Sequence, residues 1–265
     1  GRTALNARID SPANPRIGAA ARAAREGEAL VLEGARMLVD ALEAGIVPDV
    51  VFALPDLAPA DAAALDRAGR AGIEIVEVSP RVLARLSDLG STRALLALAP
   101  VPSSTLAALA GSRLVLLLDG LQDPANVGAI LRAAEAFGAG GLILTPGTAS
   151  PFAPKAFRAS AGSALRVPVV KNVLSTDAVK WIHATGATLA GADAHDGREP
   201  EALRALAPLV LAIGSEGHGL SAPLFDALDL RVRIPVSPPV ESLNAAVATG
   251  ILLYALSPKT SAEKR

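Results

Sequence analysis

Short apolar runs alternate with alanine-rich stretches along most of the chain. From Arg25 to Ala99 the runs Leu30-Val31-Leu32, Val50-Val51-Phe52, Ile73 to Val78 and Leu95 to Leu98 predict strands. Helical patterns fall between them, around residues 34 to 44, 59 to 71 and 80 to 87. A cluster of Pro100, Pro102, Ser103 and Ser104 follows the last strand and reads as a domain junction. The first domain is therefore assigned to residues 1–104 and the second to 112–265.

The second domain opens on Leu114 to Leu118, an unbroken apolar run that suits a parallel strand covered on both faces. The run stops at Asp119-Gly120. After the turn at Asp123-Pro124, Asn126 is placed to cap a helix that reaches about Phe137 and stops at Gly138. Leu142-Ile143-Leu144 is the next strand, completing a βαβ unit. Val169-Val170, Thr188 to Ala190, Leu209 to Ile213 and Val232 to Ile234 predict further strands, and Leu243 to Leu256 a closing helix. The fold class is α/β with a mainly parallel sheet in the second domain. No internal repeat at solenoid spacing is present.

Composition narrows the chemistry. At 265 residues and 51% hydrophobic content the chain can bury a large core, and two domains are expected. Zero cysteines exclude disulfides and thiolate ligands, and three scattered histidines argue against a structural zinc, so no metal site is expected. No apolar stretch reaches the roughly 18 to 20 residues of a membrane span, and the first residues lack the apolar core of a signal peptide, so a cytoplasmic location is expected. An opening on Gly1 rather than Met is compatible with a processed tag or a truncated start.

The net charge is −1, but the charge is unevenly spread. Residues 1–25 carry Arg2, Arg8, Arg16, Arg22 and Arg25 against Asp10 alone, and residues 149–176 carry Lys155, Arg158, Arg166 and Lys171 with no acid. Both stretches read either as solvated helix faces or as phosphate contacts. Aromatics make up only 3% of the residues, too few for extensive base stacking.

Three blocks put small or polar residues directly after apolar runs, where strand ends and helix starts expose backbone donors and acceptors. The first runs from Leu118-Asp119-Gly120 through Asn126, Gly128 and Arg132. Asn126 and Arg132 are six residues apart, about 9 Å along an ideal helix and not on one face. A helix cap and a solvated cation explain the pair as readily as a substrate site does. The second block, Gly214-Ser215-Glu216-Gly217-His218-Gly219, has three glycines in six residues, which lets a backbone approach a ligand. It lacks the Gly-Lys-Ser/Thr ending of a phosphate loop and the flanking glycines of a nucleophile elbow. If Glu216 is buried it needs a partner, and Arg132 is the obvious one. His218 reads as an exposed loop residue. The third block, Ile234-Pro235 through Glu241-Ser242-Leu243-Asn244, is a strand, a proline turn and a helix start that Ser242 or Asn244 can cap.

In this order and spacing the blocks resemble the SpoU (TrmH-like) family of RNA ribose methyltransferases, within the SPOUT superfamily. The resemblance covers roughly residues 112–257 and includes a further element, Arg158-Ala159-Ser160-Ala161-Gly162. It implies a C-terminal part threaded into a deep trefoil knot, a homodimer, and S-adenosyl-L-methionine as cofactor. Gly214, Ile234 and Leu243 would contact the cofactor, with Ser215 and Gly217 on the loops that carry them. Family catalytic positions map onto Asn126, Arg132, Glu216, Ser242 and Asn244. The N-terminal unit is similar to a ribosomal-protein-like substrate RNA-binding domain, on the strength of Leu30 to Gly34 and of Ser91-Thr92-Arg93 ahead of Leu95.

The resemblance thus implies 2′-O-methylation of RNA, with ribosomal RNA of the large subunit as the favoured substrate. Transfer RNA is the alternative, and an antibiotic-resistance role shares the same motifs. The family assigns a proton-accepting role to the arginine, whereas a guanidinium that normally stays charged more readily clamps a phosphate, with Glu216 orienting it. Two competing classes are a non-catalytic RNA-binding or ribosome assembly protein on the same fold, and a serine hydrolase using Ser215 and His218.

Overall fold

A computed structural model describes residues 7–87 and 93–257. Arg2 of the first basic stretch and Ser91-Thr92 lie outside the described residues. The chain divides into two compact units, Gly1–Pro102 and Ser103–Arg265.

The first unit runs β1 (Ala7–Ile9), α1 (Pro15–Glu26), β2 (Ala29–Glu33), α2 (Ala35–Glu43), β3 (Val50–Ala53), α3 (Pro59–Arg70), β4 (Glu74–Val78), α4 (Pro80–Leu86) and β5 (Leu95–Pro100). Its sheet has the order β1-β4-β3-β5-β2. The first three strands are parallel, and β5 runs antiparallel to both its neighbours. Phe52, Val76, Leu83 and Leu96 form the centre of its core with Ile17 of α1.

The apolar pattern missed β1 and α1. Only Ile9 of β1 is buried, and α1 buries only Ile17 and Ala21, so few large apolar residues mark either element. Local chemistry explains the helix: Asn14 accepts the Arg16 N–H, Pro15 takes the first turn and Gly27 ends it at φ 72°. Two arginines of the basic stretch are already paired, Arg16 with Glu74 and Arg8 with Asp10 and Glu77. The Arg16 guanidinium, chiefly by its hydrogen bond, holds the Glu74 carboxyl below the usual range.

The second unit runs β6 (Leu114–Asp119), α5 (Pro124–Ala136), β7 (Leu142–Leu144), α6 (Pro154–Ala159), β8 (Val169–Val170), α7 (Ser175–Thr185), β9 (Thr188–Ala192), β10 (Leu209–Gly214), α8 (Ala222–Asp226), β11 (Leu230–Val232) and α9 (Ala245–Leu256). All six strands are parallel, in the order β11-β9-β10-β6-β7-β8. Val115 to Asp119 of β6 are all buried, as expected for a central strand with both faces covered.

Two boundaries differ from the sequence expectation. The last strand is Leu230–Val232 rather than 232–234, because Pro235, Pro238 and Pro239 follow and cannot donate to a ladder. The closing helix starts at Ala245 rather than Leu243, because Asn244 caps it. No helix among the described residues is long and apolar enough to cross a membrane.

The chain leaves β6 toward β7 and β8 on one side of the sheet, whereas β9, β10 and β11 lie on the other. The crevice at the carboxyl ends of β6 and β10 is therefore a topological switch point, where α/β sheets bind ligands.

Candidate functional site

The three blocks converge at this switch point. Asp123, not Asn126, caps α5: its carboxylate accepts the Ala125 N–H at 3.0 Å. That bond, and then Lys155 at 3.0 Å, holds the Asp123 carboxyl below its usual range. Asn126 sits in the first turn with its amide released from capping. A Cβ on Gly128 would lie 2.2 Å from the Ala156 carbonyl oxygen, so only glycine lets α6 pack this closely on α5.

The second block forms a tight hairpin loop. Ser215 and Gly219 exchange backbone hydrogen bonds of 3.0 and 2.9 Å, and the His218 N–H reaches Ser215 Oγ at 3.3 Å. A Cβ on Gly214 would lie 2.2 Å from the Gly219 backbone, which makes glycine obligatory at the loop's root. Glu216 sits in the loop, exposed rather than buried.

Asn244 joins the blocks. Its Oδ1 accepts the Ala246 and Val247 N–H groups and caps α9. Its Nδ2 donates to Asn126 Oδ1 at 3.0 Å and to Glu216 Oε1 at 3.2 Å, while Asn126 Nδ2 donates to the same Glu216 oxygen at 2.9 Å. Three residues separated by up to 118 positions thus close a ring of hydrogen bonds.

The expected pairing of Glu216 with Arg132 is not formed; the two asparagines take its place. Arg132 is exposed and makes no ion pair among the described residues. Helical geometry explains this, since six residues rotate Arg132 off the Asn126 face. Ser242 is exposed and leaves the capping to Asn244. Ser160 of the Arg158–Gly162 element is fully buried and donates to the Phe157 carbonyl at 2.7 Å, a structural role after α6, while Arg158 is exposed.

Beside the ring lies a cavity of about 400 Å³. Gly214, Ser215, Gly217, Ile234 and Leu243 all line it, as do Glu216 and Ser242; Asn126, Arg132 and Asn244 do not. The volume lies within the roughly 300–1,000 Å³ typical of small-molecule sites. Its walls combine apolar side chains, Ile213, Leu228 and Leu252 among them, with the backbone of the glycine loop. Ser215 Oγ is held by the His218 backbone rather than by its ring, which removes the basis for a hydrolase triad.

Sequence reasoning missed one part of the lining. Asp193 and His195, after β9, and Arg231, in β11, also face the cavity. Burial pushes the Asp193 carboxyl up, but the N–H groups of His195 and Asp196, helped by Arg231, outweigh it and leave the group below its usual range. Arg231 pairs with both Asp193 and Asp196. The Asp193–Arg231 contact spans 38 positions, and no local pattern announces it. Among the described residues no cluster of acids and histidines could hold a metal ion.

An all-parallel α/β domain with a cavity at the carboxyl ends of β9, β10 and β11, beside a carboxylate held by two amides, has the layout of a small-molecule-binding site. Residues 113–254 match the SpoU rRNA Methylase family, and the chain belongs to it. Residues 20–97 match the MRM3-like substrate binding domain. The chain is 30% identical over 227 residues, 85% of its length and 87% of the relative's, to the 23S rRNA (guanosine(2553)-2′-O)-methyltransferase RlmP of Bacillus subtilis. Among solved structures it is similar to the SpoU methyltransferase AviRb from Streptomyces viridochromogenes in complex with the cofactor AdoMet, with TM-score 0.81, 28% identity, and coverage of 92% of this chain and 97% of that one. The AdoMet-bound rRNA methyltransferase from Sinorhizobium meliloti gives TM-score 0.83 at 26% identity, covering 94% and 96%.

Proposed function

We propose that this protein transfers a methyl group from S-adenosylmethionine to a ribose 2′-hydroxyl of RNA, with ribosomal RNA of the large subunit as the substrate. The observation that carries the reading is the ring of Asn126, Glu216 and Asn244 at the edge of a cavity lined by Gly214, Ser215, Gly217, Ile234 and Leu243. The ribosomal preference rests on the Bacillus relative and on the match of residues 20–97, which supports residues 1–104 as the substrate RNA-binding domain.

The cavity suits the cofactor: apolar walls fit a purine, and exposed loop amides fit its polar edge. When bound, S-adenosylmethionine supplies a methyl group activated by a sulfonium. The protein's task is then alignment, together with handling of the hydroxyl proton. Glu216 receives both amides on Oε1, which leaves Oε2 to accept a hydrogen bond from the ribose hydroxyl. Asn126 and Asn244 hold that carboxylate in place. Arg132, exposed beyond the ring, clamps an RNA phosphate bidentately, a task suited to a planar guanidinium. Ser242, at the cavity wall, holds the loop or the substrate.

The same reading includes a homodimer. Val247, Ile251 and Tyr254 form an exposed stripe on α9, 52%, 40% and 70% accessible, and such a stripe favours a second copy as its cover. It also includes a deep trefoil knot in the C-terminal path, supported by family membership and by Ile234, Val236 and Glu241 to Leu243 sharing one cavity with the glycine loop. An RNA substrate favours a cytoplasmic location.

Mapping ribose methylation in RNA from cells with and without the protein tests the assignment. One ribosomal 2′-O-methyl mark is expected to vanish with the gene; identical maps would overturn it, and loss of a transfer RNA mark would move the substrate. Arg132→Ala should abolish turnover while cofactor binding survives, and wild-type turnover in that variant would remove the proposed role of Arg132.

A further inference from the structure

Asp119 ends β6 with its side chain buried, 7% of the residue remaining exposed. Burying a carboxylate is costly unless its oxygens are engaged. Both are: Thr145 donates its hydroxyl to Oδ1 at 2.6 Å, and Ser221 donates its backbone N–H to Oδ2 at 2.6 Å. Hydroxyls close the surroundings. Thr145 and Thr148 share the Gly120 N–H, and Thr148 donates to the Leu118 carbonyl.

Ser221 gives this buried group its significance, because it terminates the loop that carries Glu216. The loop's upstream end is fixed by the sheet, where Gly214 lies in register with Asp119. Its downstream end is held at Ser221, whose N–H donates to the Asp119 carboxylate and whose hydroxyl bonds the Ser175 hydroxyl at 3.0 Å, beside the Ser215–Gly219 backbone pair that closes the loop. One residue therefore anchors both ends of the loop, and it also opens the turn that leads into α5 and Asn126. Asp119 does not itself line the cavity, so its influence on a ligand there runs through the loop.

The geometry points to Asp119 as a positioning residue for methyl transfer: by tethering Ser221 it holds Glu216 against Asn126 and Asn244. This rests on the methyltransferase reading above. At saturating cofactor it predicts that Asp119 affects kcat only while Glu216 is present, because at that point the tether acts through the carboxylate's placement.

The test compares Asp119→Ala, Asp119→Asn, Glu216→Ala and the double variant Asp119→Ala/Glu216→Ala in methyl transfer, together with amide hydrogen exchange over residues 214–221. Asparagine keeps the shape and can accept the Ser221 N–H, so it guards against a variant that fails to fold. Removing the tether should lower kcat roughly tenfold or more, the scale of a misplaced reacting group, while KM for RNA stays within about twofold. It should speed exchange of the Ser221 amide, with Asp119→Asn intermediate in both readings. In the Glu216→Ala background the same change should cost less than about twofold in kcat, the coupling expected of one unit. Equal losses of kcat with and without Glu216, or wild-type kcat and exchange in Asp119→Ala, would overturn the proposal. A wild-type protein without transfer activity would instead sink the methyltransferase reading, and the exchange arm would still judge the tether.

Discussion

The N-termini of α5 and α9 both present an asparagine to the same glutamate, yet they are built differently. In α5 the cap is Asp123, three residues before Asn126, so the asparagine's amide has no duty in the helix. In α9 the asparagine is itself the cap: Asn244 spends Oδ1 on the helix and Nδ2 on the site. On the proposed function, one helix start separates stability from catalysis and the other merges them. Equivalent substitutions should therefore have unequal consequences.

The largest effect is expected where the two helices meet. Glu216→Ala removes the acceptor shared by both amides and should lower turnover about 100-fold, the scale of a misplaced reacting group, in a methyl-transfer assay. Asn244→Ala comes next, lowering turnover and also removing a helix cap worth about 1 kcal/mol, which a denaturant titration would register. Asn126→Ala should lower turnover as well but leave the unfolding midpoint close to wild type. Equal midpoints for the two asparagine variants would erase the contrast.

The smallest effect is expected from Asp123→Ala, which should lower the thermal midpoint slightly and leave turnover within a few-fold, since Asn126 keeps its partners. Its pH dependence has a definite sign. Asp123 is held below its ordinary value of 3.8, so its contribution is present above that pH and is lost as pH falls through the lowered value. The gap between wild type and Asp123→Ala should be full at neutral pH and narrow in melts recorded below about 3.8. A gap that widened on acidification would contradict the assigned cap.

The same pair of helices shows how far the sequence could be read. The strands were legible because β6, β7 and β10 are buried apolar runs, whose composition alone reveals both covered faces. The existence of α5 was legible too, but not the duty of each residue at its start. Asp123 and Asn126 are both good caps, and Pro124 at the first helical position was the signal that favoured Asp123.

The site was legible only as three separate blocks. Their convergence depends on strand order, which no periodicity encodes, and the pairing of Glu216 with asparagines rather than Arg132 depends on helix phase at the crevice. Asp193 and Arg231 were invisible because their meeting requires β9 and β11 to pair. In the first unit, β1 escaped because it has three residues with one buried, and α1 because only Ile17 and Ala21 of its twelve residues are buried.

If the glycine loop after β10 builds the donor cavity, calorimetric titration of S-adenosylmethionine into wild-type protein and into Gly214→Ala will separate the two. Saturable binding is expected, weakened roughly tenfold or more by a methyl group forced against the Gly219 backbone. No binding to wild type, or equal affinity in the variant, would contradict it.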